Sequence, residues 1–240
     1  MTTIPAQLQD VRARIATACA RAGRDVQEVT LLAVSKTFAP EAVREAAAAG
    51  QRAFGENYIQ EAVAKIAALR DLPGLEWHCI GPIQSNKTRL VAEQFDWVHT
   101  VDRLKTAERL SAQRPAARAP LNVCLQVNID GGPTKSGVPP AEVAALARAV
   151  AALPRLRLRG LMTIPDVAID MEATRAVHMR ARALFDQLNA EGLALDTLSM
   201  GMSADLEPAI AAGSTLVRVG SAIFGARAPK ASAAADQPPT

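Results

Sequence analysis

The 240-residue chain has few aromatic residues and no long apolar run. Aromatics make up only 3% of the chain, and the basic residues are scattered rather than interleaved with them, so no nucleic-acid binding is predicted. No stretch approaches the roughly 20 apolar residues of a membrane span, and the N-terminus lacks the apolar core of a signal peptide. We therefore expect a cytoplasmic protein with no membrane partner.

Cysteine and histidine are too sparse to indicate a disulfide framework or a metal site. The three cysteines, Cys19, Cys79 and Cys124, are far apart and form no CxxC motif, so free thiols in a reducing compartment are expected. The three histidines show no metal-ligand spacing. The sequence also has no P-loop, no GxGxxG motif and no Ser/His/Asp order typical of a hydrolase.

The sequence does have a repeated alternation of short apolar runs with helical patterns. Apolar residues make up 49% of the chain, which is enough for a sizeable core. Strands separated by helices are joined in parallel by crossover connections. The predicted strands span residues 30–36, 52–55, 75–81, 97–101, 121–128, 156–163, 196–200 and 216–220. The predicted helices between them span residues 40–49, 58–70, 85–95, 103–113, 139–153, 170–191 and 204–212.

This order of elements predicts an α/β fold, a (β/α)8 TIM barrel, if an eighth covering helix is available. Residues 3–22 supply it as an extra N-terminal helix, because their apolar residues recur at helical spacing. We expect one barrel domain over residues 1–227, no C-terminal β-domain, and a disordered tail over residues 228–240. An open doubly wound sheet is the alternative, but its glycine-rich first turn is absent.

A phosphate site is expected after strands 7 and 8, because barrels often bind phosphate there. Ser203 follows the seventh strand, and Gly220 and Ser221 follow the eighth. Hydroxyl and amide groups in these loops suit an anion, and glycine allows a close approach. The alternative is that Ser203 only caps a helix and Gly220 only forms a turn. Pro208 fits that helix best if Asp205 is the N-cap.

Lys36 follows the apolar run LLAVS and is expected at the same end of the barrel. A desolvated lysine keeps a nucleophilic amine, and an amine beside a phosphate site suits an aldehyde that carries a phosphate. Pyridoxal 5′-phosphate (PLP) is such a molecule, and the lysine would hold it as an internal aldimine. The alternatives are that Lys36 extends into solvent or pairs with a carboxylate such as Glu56.

Arg218 lies two residues before Gly220 on the eighth predicted strand, so both point to the same side. An arginine keeps its charge, so beside the pyridine nitrogen of PLP it would leave that nitrogen unprotonated and the ring a weaker electron sink. An ordinary salt bridge with a helix is the alternative. His78 is as consistent with a core histidine as with a ligand, and Met200 with core packing as with contact to a ring.

Seven segments of the chain resemble the pyridoxal phosphate homeostasis protein family (the YggS/PROSC type), which is related to the N-terminal barrel of alanine racemases. The resemblance covers about residues 5–227 and rests on AVSKT, FGENY, WHCIGPIQSNK, NID…KSG, GLMTIP, MGMSADLEPAI and VRVGSAIFG. It implies that Lys36 is the Schiff-base lysine and that Arg218 lies near the pyridine nitrogen. The loop before the KSG lysine departs from the family, because it lacks a common glutamate.

The resemblance also assigns the remaining site residues. It implies that the phosphate is held by Ser203, Gly220 and Ser221. It implies that the ring is surrounded by Asn57, His78 and Met200. No catalytic residue and no metal ligand is assigned.

The function implied by the resemblance is PLP (vitamin B6) homeostasis, in which the protein holds PLP on Lys36 and passes it to other proteins. PLP and PLP-accepting apo-enzymes are the expected partners, and a monomer or weak dimer is expected. One alternative is a PLP-dependent amino-acid racemase of low activity, with Lys36 as one base and Tyr58 or water as the other. The second is a cofactor-free Schiff-base aldolase whose lysine attacks a phosphorylated sugar.

Overall fold

Eight strands close into a parallel barrel, so the predicted TIM-barrel fold is confirmed. The computed structural model describes residues 3–132, 135–165 and 170–226. Each strand pairs with the next one along the chain, and the last pairs with the first. The strands are β1 (Thr30–Val34), β2 (Ala53–Glu56), β3 (Glu76–Cys79), β4 (Trp97–Val101), β5 (Leu121–Val127), β6 (Leu156–Thr163), β7 (Thr197–Ser199) and β8 (Leu216–Val219). The tail predicted for residues 228–240 lies outside the described residues.

Helices connect the strands and cover the outside of the barrel. They are α1 (Ile4–Arg21), α2 (Pro40–Ala48), α3 (Ile59–Ala68), α4 (Thr88–Gln94), α5 (Leu104–Gln113), α6 (Val143–Ala151), α7 (Met171–Ala190), α8 (Leu206–Ala211) and α9 (Ser221–Phe224). The predicted extra helix is α1, which packs against α2, α8 and α9 and so covers the side where β8 meets β1. None of the described helices combines the length and apolarity needed to cross a membrane.

Two local differences from the sequence-based prediction lie beside the expected site. β1 ends at Val34, and the Ser35 N–H extends its pairing by donating to the Gly55 carbonyl at 3.0 Å, so Lys36 lies just beyond the strand. The chain turns sharply there, because Thr37 has a φ of 69°, which is rare for a β-branched residue. After β8, the short helix α9 forms where only a loop was predicted, and it buries Phe224.

The strands bury one set of side chains against the helices and the alternate set inside the barrel. The larger core lies between strands and helices and includes Ala33, Trp77 and Leu198. Smaller apolar clusters inside the barrel are separate from it, one around Leu32 and one around Trp97. The polar side chains buried in these strands include His78, His99, Ser199 and Arg218. The barrel interior is therefore partly polar directly below the expected site.

Candidate functional site

A cavity of about 270 Å³ lies at the carboxyl ends of the strands. Six of the predicted site residues line it, namely Lys36, Asn57, Ser203, Arg218, Gly220 and Ser221. The other lining residues are Val34, Ile80, Ile164, Met202 and Ala204. The cavity therefore combines an amine, a guanidinium and two hydroxyls with an apolar wall, which is the usual character of a small-molecule site.

His78 and Met200, the other two predicted site residues, lie deeper in the protein and do not line this cavity. His78 is 1% exposed inside the barrel, and Met200 is fully buried in the core between strands and helices. Gly201 has a φ of 92°, which glycine adopts readily, and the chain turns there. Met202, just past this turn, lines the cavity in the place that the sequence predicted for Met200.

The residues beside Lys36 are held by a buried ion pair between α3 and β2. Lys65 Nζ lies 2.6 Å from Glu56 Oε1 and also donates to the Ser35 carbonyl at 2.8 Å. The Ser35 hydroxyl donates to the same carboxylate oxygen at 2.6 Å. Burial raises the pKa of Glu56, and the contacts with Lys65 and Ser35 oppose that rise. Glu56, considered from the sequence as a partner for Lys36, thus connects the ends of β1 and β2 through Lys65.

Asn57 follows Glu56 at the cavity, and its side-chain carbonyl has no partner among the described residues. The Oδ1 atom is buried. The loop after β3 packs directly against the backbone of Asn57. A Cβ atom at Gly81 would lie only 2.3 Å from the backbone carbonyl oxygen of Asn57, so glycine is needed there. A buried acceptor without a donor is costly, and this oxygen is one of seven such side-chain atoms among the described residues.

The loop that carries Ser203 is held by Asp205. One carboxylate oxygen accepts from the Met202 N–H at 2.6 Å, and the other lies 3.0 Å from His178 Nε2. Burial acts to raise the pKa of Asp205, but these two contacts outweigh it and lower the pKa. Asp205 is the N-cap of α8 and Pro208 lies in the first turn, so the predicted cap is confirmed. Nothing in the sequence spacing of His178 and Asp205, 27 residues apart, indicates this contact.

Arg218 reaches the cavity from inside the barrel and is held by β6 and β7. Nη1 donates to the Ser199 carbonyl at 2.8 Å and to Ser199 Oγ at 2.7 Å, while Nη2 donates to the Thr163 carbonyl at 2.8 Å. Burial lowers the pKa of Arg218 to about 10, so it stays charged at neutral pH. The described residues give it no salt bridge to a helix. These three bonds leave two of its five N–H donors.

His78 and His99 meet inside the barrel below Arg218. His78 Nδ1 lies 2.9 Å from His99 Nε2, and His99 Nδ1 lies 3.0 Å from Ser199 Oγ. Burial lowers the pKa of His78 and lowers that of His99 still further, with His78 and Arg218 adding to the effect at His99. The sequence signal for this contact is weak: His78 lies between Trp77 and Cys79 of the larger core, but His99 has such a neighbour, Val98, on one side alone.

Lowering the pH from about 7.5 to about 5.5 is expected to destabilise the fold through these two histidines. The unfolded chain binds protons near the ordinary histidine pKa of about 6.5, whereas burial lowers the pKa of both rings in the folded chain. The loss should therefore begin below about pH 6.5, with an upper limit of about 1.4 kcal/mol per pH unit for each histidine. Urea unfolding at each pH measures it, and His99→Gln should give a smaller loss. An equal loss in that variant would contradict the prediction.

Tyr58, named in the racemase alternative, does not line the cavity. Its side chain is 45% exposed and lies beside a neighbouring surface pocket with Gln84 and Lys87. The position of Tyr58 gives the racemase alternative no support.

Lys135, the lysine of the KSG segment, lies at the cavity wall. Its ammonium lies 2.9 Å from Asp130 and donates at 3.2 Å to the carbonyl of Ile164, which lines the cavity.

The barrel and its cavity define a class of protein that comparison with known families identifies. Residues 7–228 match the family model described as "Alanine racemase, N-terminal domain". This match covers nearly the whole chain and agrees with the closed parallel barrel.

Individual relatives specify the branch of this family. The chain is 60% identical to a pyridoxal phosphate homeostasis protein of Pseudomonas aeruginosa, with 95% of this chain and 97% of the relative covered. It is 55% identical to the protein of the same name from Escherichia coli K12, over 95% and 98% of the two chains. The chain therefore belongs to the pyridoxal phosphate homeostasis protein family.

One solved structure of a similar protein contains PLP. The structure of PipY from Synechococcus elongatus with PLP bound has 42% sequence identity to this chain and a TM-score of 0.78. The alignment covers 88% of this chain and all of PipY (100%). PLP is therefore the ligand against which the cavity of this chain is to be compared.

Proposed function

We propose that this protein binds PLP in the cavity at the carboxyl ends of the strands and serves PLP homeostasis by passing it to other proteins. The observation that carries the proposal is the convergence of Lys36, Arg218 and the Ser203 and Ser221 loops on that one cavity. These residues come from β1, β7, β8 and the turns after them. They present, in one place, the groups that an aldehyde, a pyridine nitrogen and a phosphate require.

Each lining residue has a defined role in this proposal. The Lys36 amine would bond to the aldehyde carbon, whose oxygen leaves as water, and the remaining N–H groups of Arg218 would face the ring nitrogen. Ser203, Gly220 and Ser221 hold the phosphate, while the apolar wall that includes Ile80 packs against the ring. When bound, PLP supplies an electron-withdrawing ring, and a permanently charged arginine at its nitrogen keeps that ring from drawing electrons strongly. The site is therefore suited to holding PLP rather than to driving carbanion chemistry.

Transfer to other proteins is supported by the position of the phosphate end. Ser221 and Ala204 are exposed, and Lys36 is only half-buried, so the groups that hold PLP lie close to solvent. A loaded protein is expected to activate a PLP-requiring apo-enzyme even when a scavenger removes free PLP. Activation that the scavenger abolishes would contradict direct transfer and leave PLP binding intact.

Binding itself is tested by adding PLP to the purified protein and recording its visible spectrum. We expect a visible band that borohydride reduction removes, after which peptide mass spectrometry finds the reduced adduct on Lys36. Pyridoxal without phosphate is the matched control and should bind much more weakly, because it cannot use Ser203 or Ser221. Absence of the band, or an adduct spread over surface lysines, would overturn the proposal.

A further inference from the structure

A row of buried polar side chains lies below Arg218, and the groups that bind aldehyde and phosphate do not account for it. Ser199 and His99 are fully buried, and His78 is 1% exposed. The three residues come from β7, β4 and β3, which are not all neighbours in the barrel. Because buried polar groups are costly unless they are hydrogen-bonded, their arrangement calls for a specific role.

The row forms a continuous chain of contacts across the barrel. Arg218 Nη1 lies 2.7 Å from Ser199 Oγ, which lies 3.0 Å from His99 Nδ1. His99 Nε2 lies 2.9 Å from His78 Nδ1. At the far end, Glu76 Oε2 lies 3.5 Å from His78 Nε2, which is close enough for the carboxylate to attract an N–H at that nitrogen, although the geometry is poor for a hydrogen bond. This row of contacts thus runs from the cavity toward the amino-terminal end of β3.

The donor and acceptor capacities of these side chains allow one direction of hydrogen bonding along the row. Arginine can only donate, so Ser199 Oγ accepts from Arg218 and its own hydrogen can go to His99 Nδ1. His99 then carries its hydrogen on Nε2 and donates to His78 Nδ1. His78 in turn carries its hydrogen on Nε2, facing Glu76.

The opposite direction is unfavourable at both ends. It would point the lone pair of His78 Nε2 at the Glu76 carboxylate, and the described residues would offer no other acceptor to the Ser199 hydroxyl. Glu76 is itself fixed, because its other oxygen accepts from Trp97 Nε1 at 2.7 Å. The Trp97 ring also stacks on His78, with centroids 5.2 Å apart and planes 7° from parallel.

We propose that Ser199, His99 and His78 are positioning residues, whose one-directional hydrogen-bond chain holds the Arg218 guanidinium so that its remaining N–H groups face the pyridine nitrogen of PLP. The inference rests on the proposed function, which places the PLP ring beside Arg218. Because the Ser199 hydroxyl hydrogen is donated to His99, Ser199 Oγ can only accept a hydrogen bond from Arg218. Rotation of the guanidinium would break this bond and the bonds to the Ser199 and Thr163 carbonyls together.

The direction of the chain is tested on the protein without PLP, by NMR of protein labelled with ¹⁵N-histidine. The sequence has three histidines, so three single glutamine variants assign every signal. His99 and His78 are expected to be neutral at pH 7, each with its hydrogen on Nε2. In Ser199→Ala, the His99 Nδ1 signal should shift because it loses its donor. A hydrogen on Nδ1 of His99, or a charged His99 ring, would overturn the inference whether or not PLP binds.

The effect on Arg218 is tested by PLP titration of Ser199→Ala and of Ser214→Ala, a matched control. Ser214 is also fully buried, but among the described residues its hydroxyl contacts backbone carbonyls alone, those of Leu198 in β7, Leu216 in β8 and Met200. We expect Ser199→Ala to weaken PLP binding about 10-fold, as for loss of one hydrogen bond to a charged group, while Ser214→Ala stays near wild type.

The outcomes separate a positioning role from a structural one. Similar losses of thermal stability in the two variants, with weaker PLP binding in Ser199→Ala alone, would support positioning of Arg218. Equal PLP affinity in the two variants would overturn it. Failure of the wild-type protein to bind PLP would instead refute the proposed function, and the NMR result would still decide the direction of the chain.

Discussion

Replacing Lys36 by alanine is expected to remove the visible band that forms with PLP and to weaken binding by about 100-fold or more. The Lys36 amine condenses with the aldehyde, which exchanges the C=O bond for a C=N bond and releases water, and we expect this link to contribute at least as much as a strong hydrogen bond to a charged group, about 3 kcal/mol. Since about 2.7 kcal/mol corresponds to 100-fold in affinity, this figure is a lower bound. Difference spectra during PLP titration, together with equilibrium dialysis, measure both effects.

Two further variants separate the charge of Lys36 from its chemistry. Lys36→Arg keeps a positive charge beside the cavity but has no amine that can bond to the aldehyde, so the band should also be lost. Lys87→Ala removes a lysine from the same end of the barrel, next to Asn57 in a neighbouring pocket, and should leave the band unchanged. A band that persists in Lys36→Ala would place the covalent bond on another lysine and contradict the proposed site.

The barrel and most of the cavity could be predicted from sequence because both follow from local patterns. An apolar run such as Leu31–Val34 needs burial on both faces, and the glycines and prolines between runs mark the connections. Once the strands are parallel, their carboxyl ends must gather at one end of the barrel. Residues just after separate strands, such as Lys36, Ser203 and Ser221, are therefore brought together although they are far apart in the chain.

The buried polar contacts could not be predicted in the same way, because they depend on how strands are staggered around the barrel. His99 and Ser199 are 100 residues apart and lie on strands that are not adjacent. Their contact is fixed by which alternate residues point inward and by the width of the barrel interior. The placement of Met200 in the core and of Met202 at the cavity could not be predicted either, since Gly201, with its positive φ, decides where the chain leads after β7.

The second large effect is expected at Lys65, a lysine on a helix face that the apolar spacing alone would assign to the core. Its ammonium is paired with Glu56 at 2.6 Å, and the two side chains are 2% and 0% exposed. Lys65→Met should lower the free energy of unfolding by about 3–5 kcal/mol, because it leaves the Glu56 carboxylate buried without its counterion. Urea unfolding at neutral pH measures the change.

Lys105→Met is the matched control, since Lys105 is exposed on α5 and its replacement should change stability by no more than about 0.5 kcal/mol. The double variant Glu56→Gln, Lys65→Met should recover part of the loss, because no buried charge is then left unpaired. It should still bind PLP more weakly than wild type, since Lys65 donates to the Ser35 carbonyl directly before Lys36.

If Lys65→Met lowers the free energy of unfolding no more than Lys105→Met does, the ion pair of Lys65 and Glu56 does not stabilise the junction of β1 and β2. Lys36 must then be held by the turn at Thr37, whose N–H donates to Glu61 at 2.7 Å.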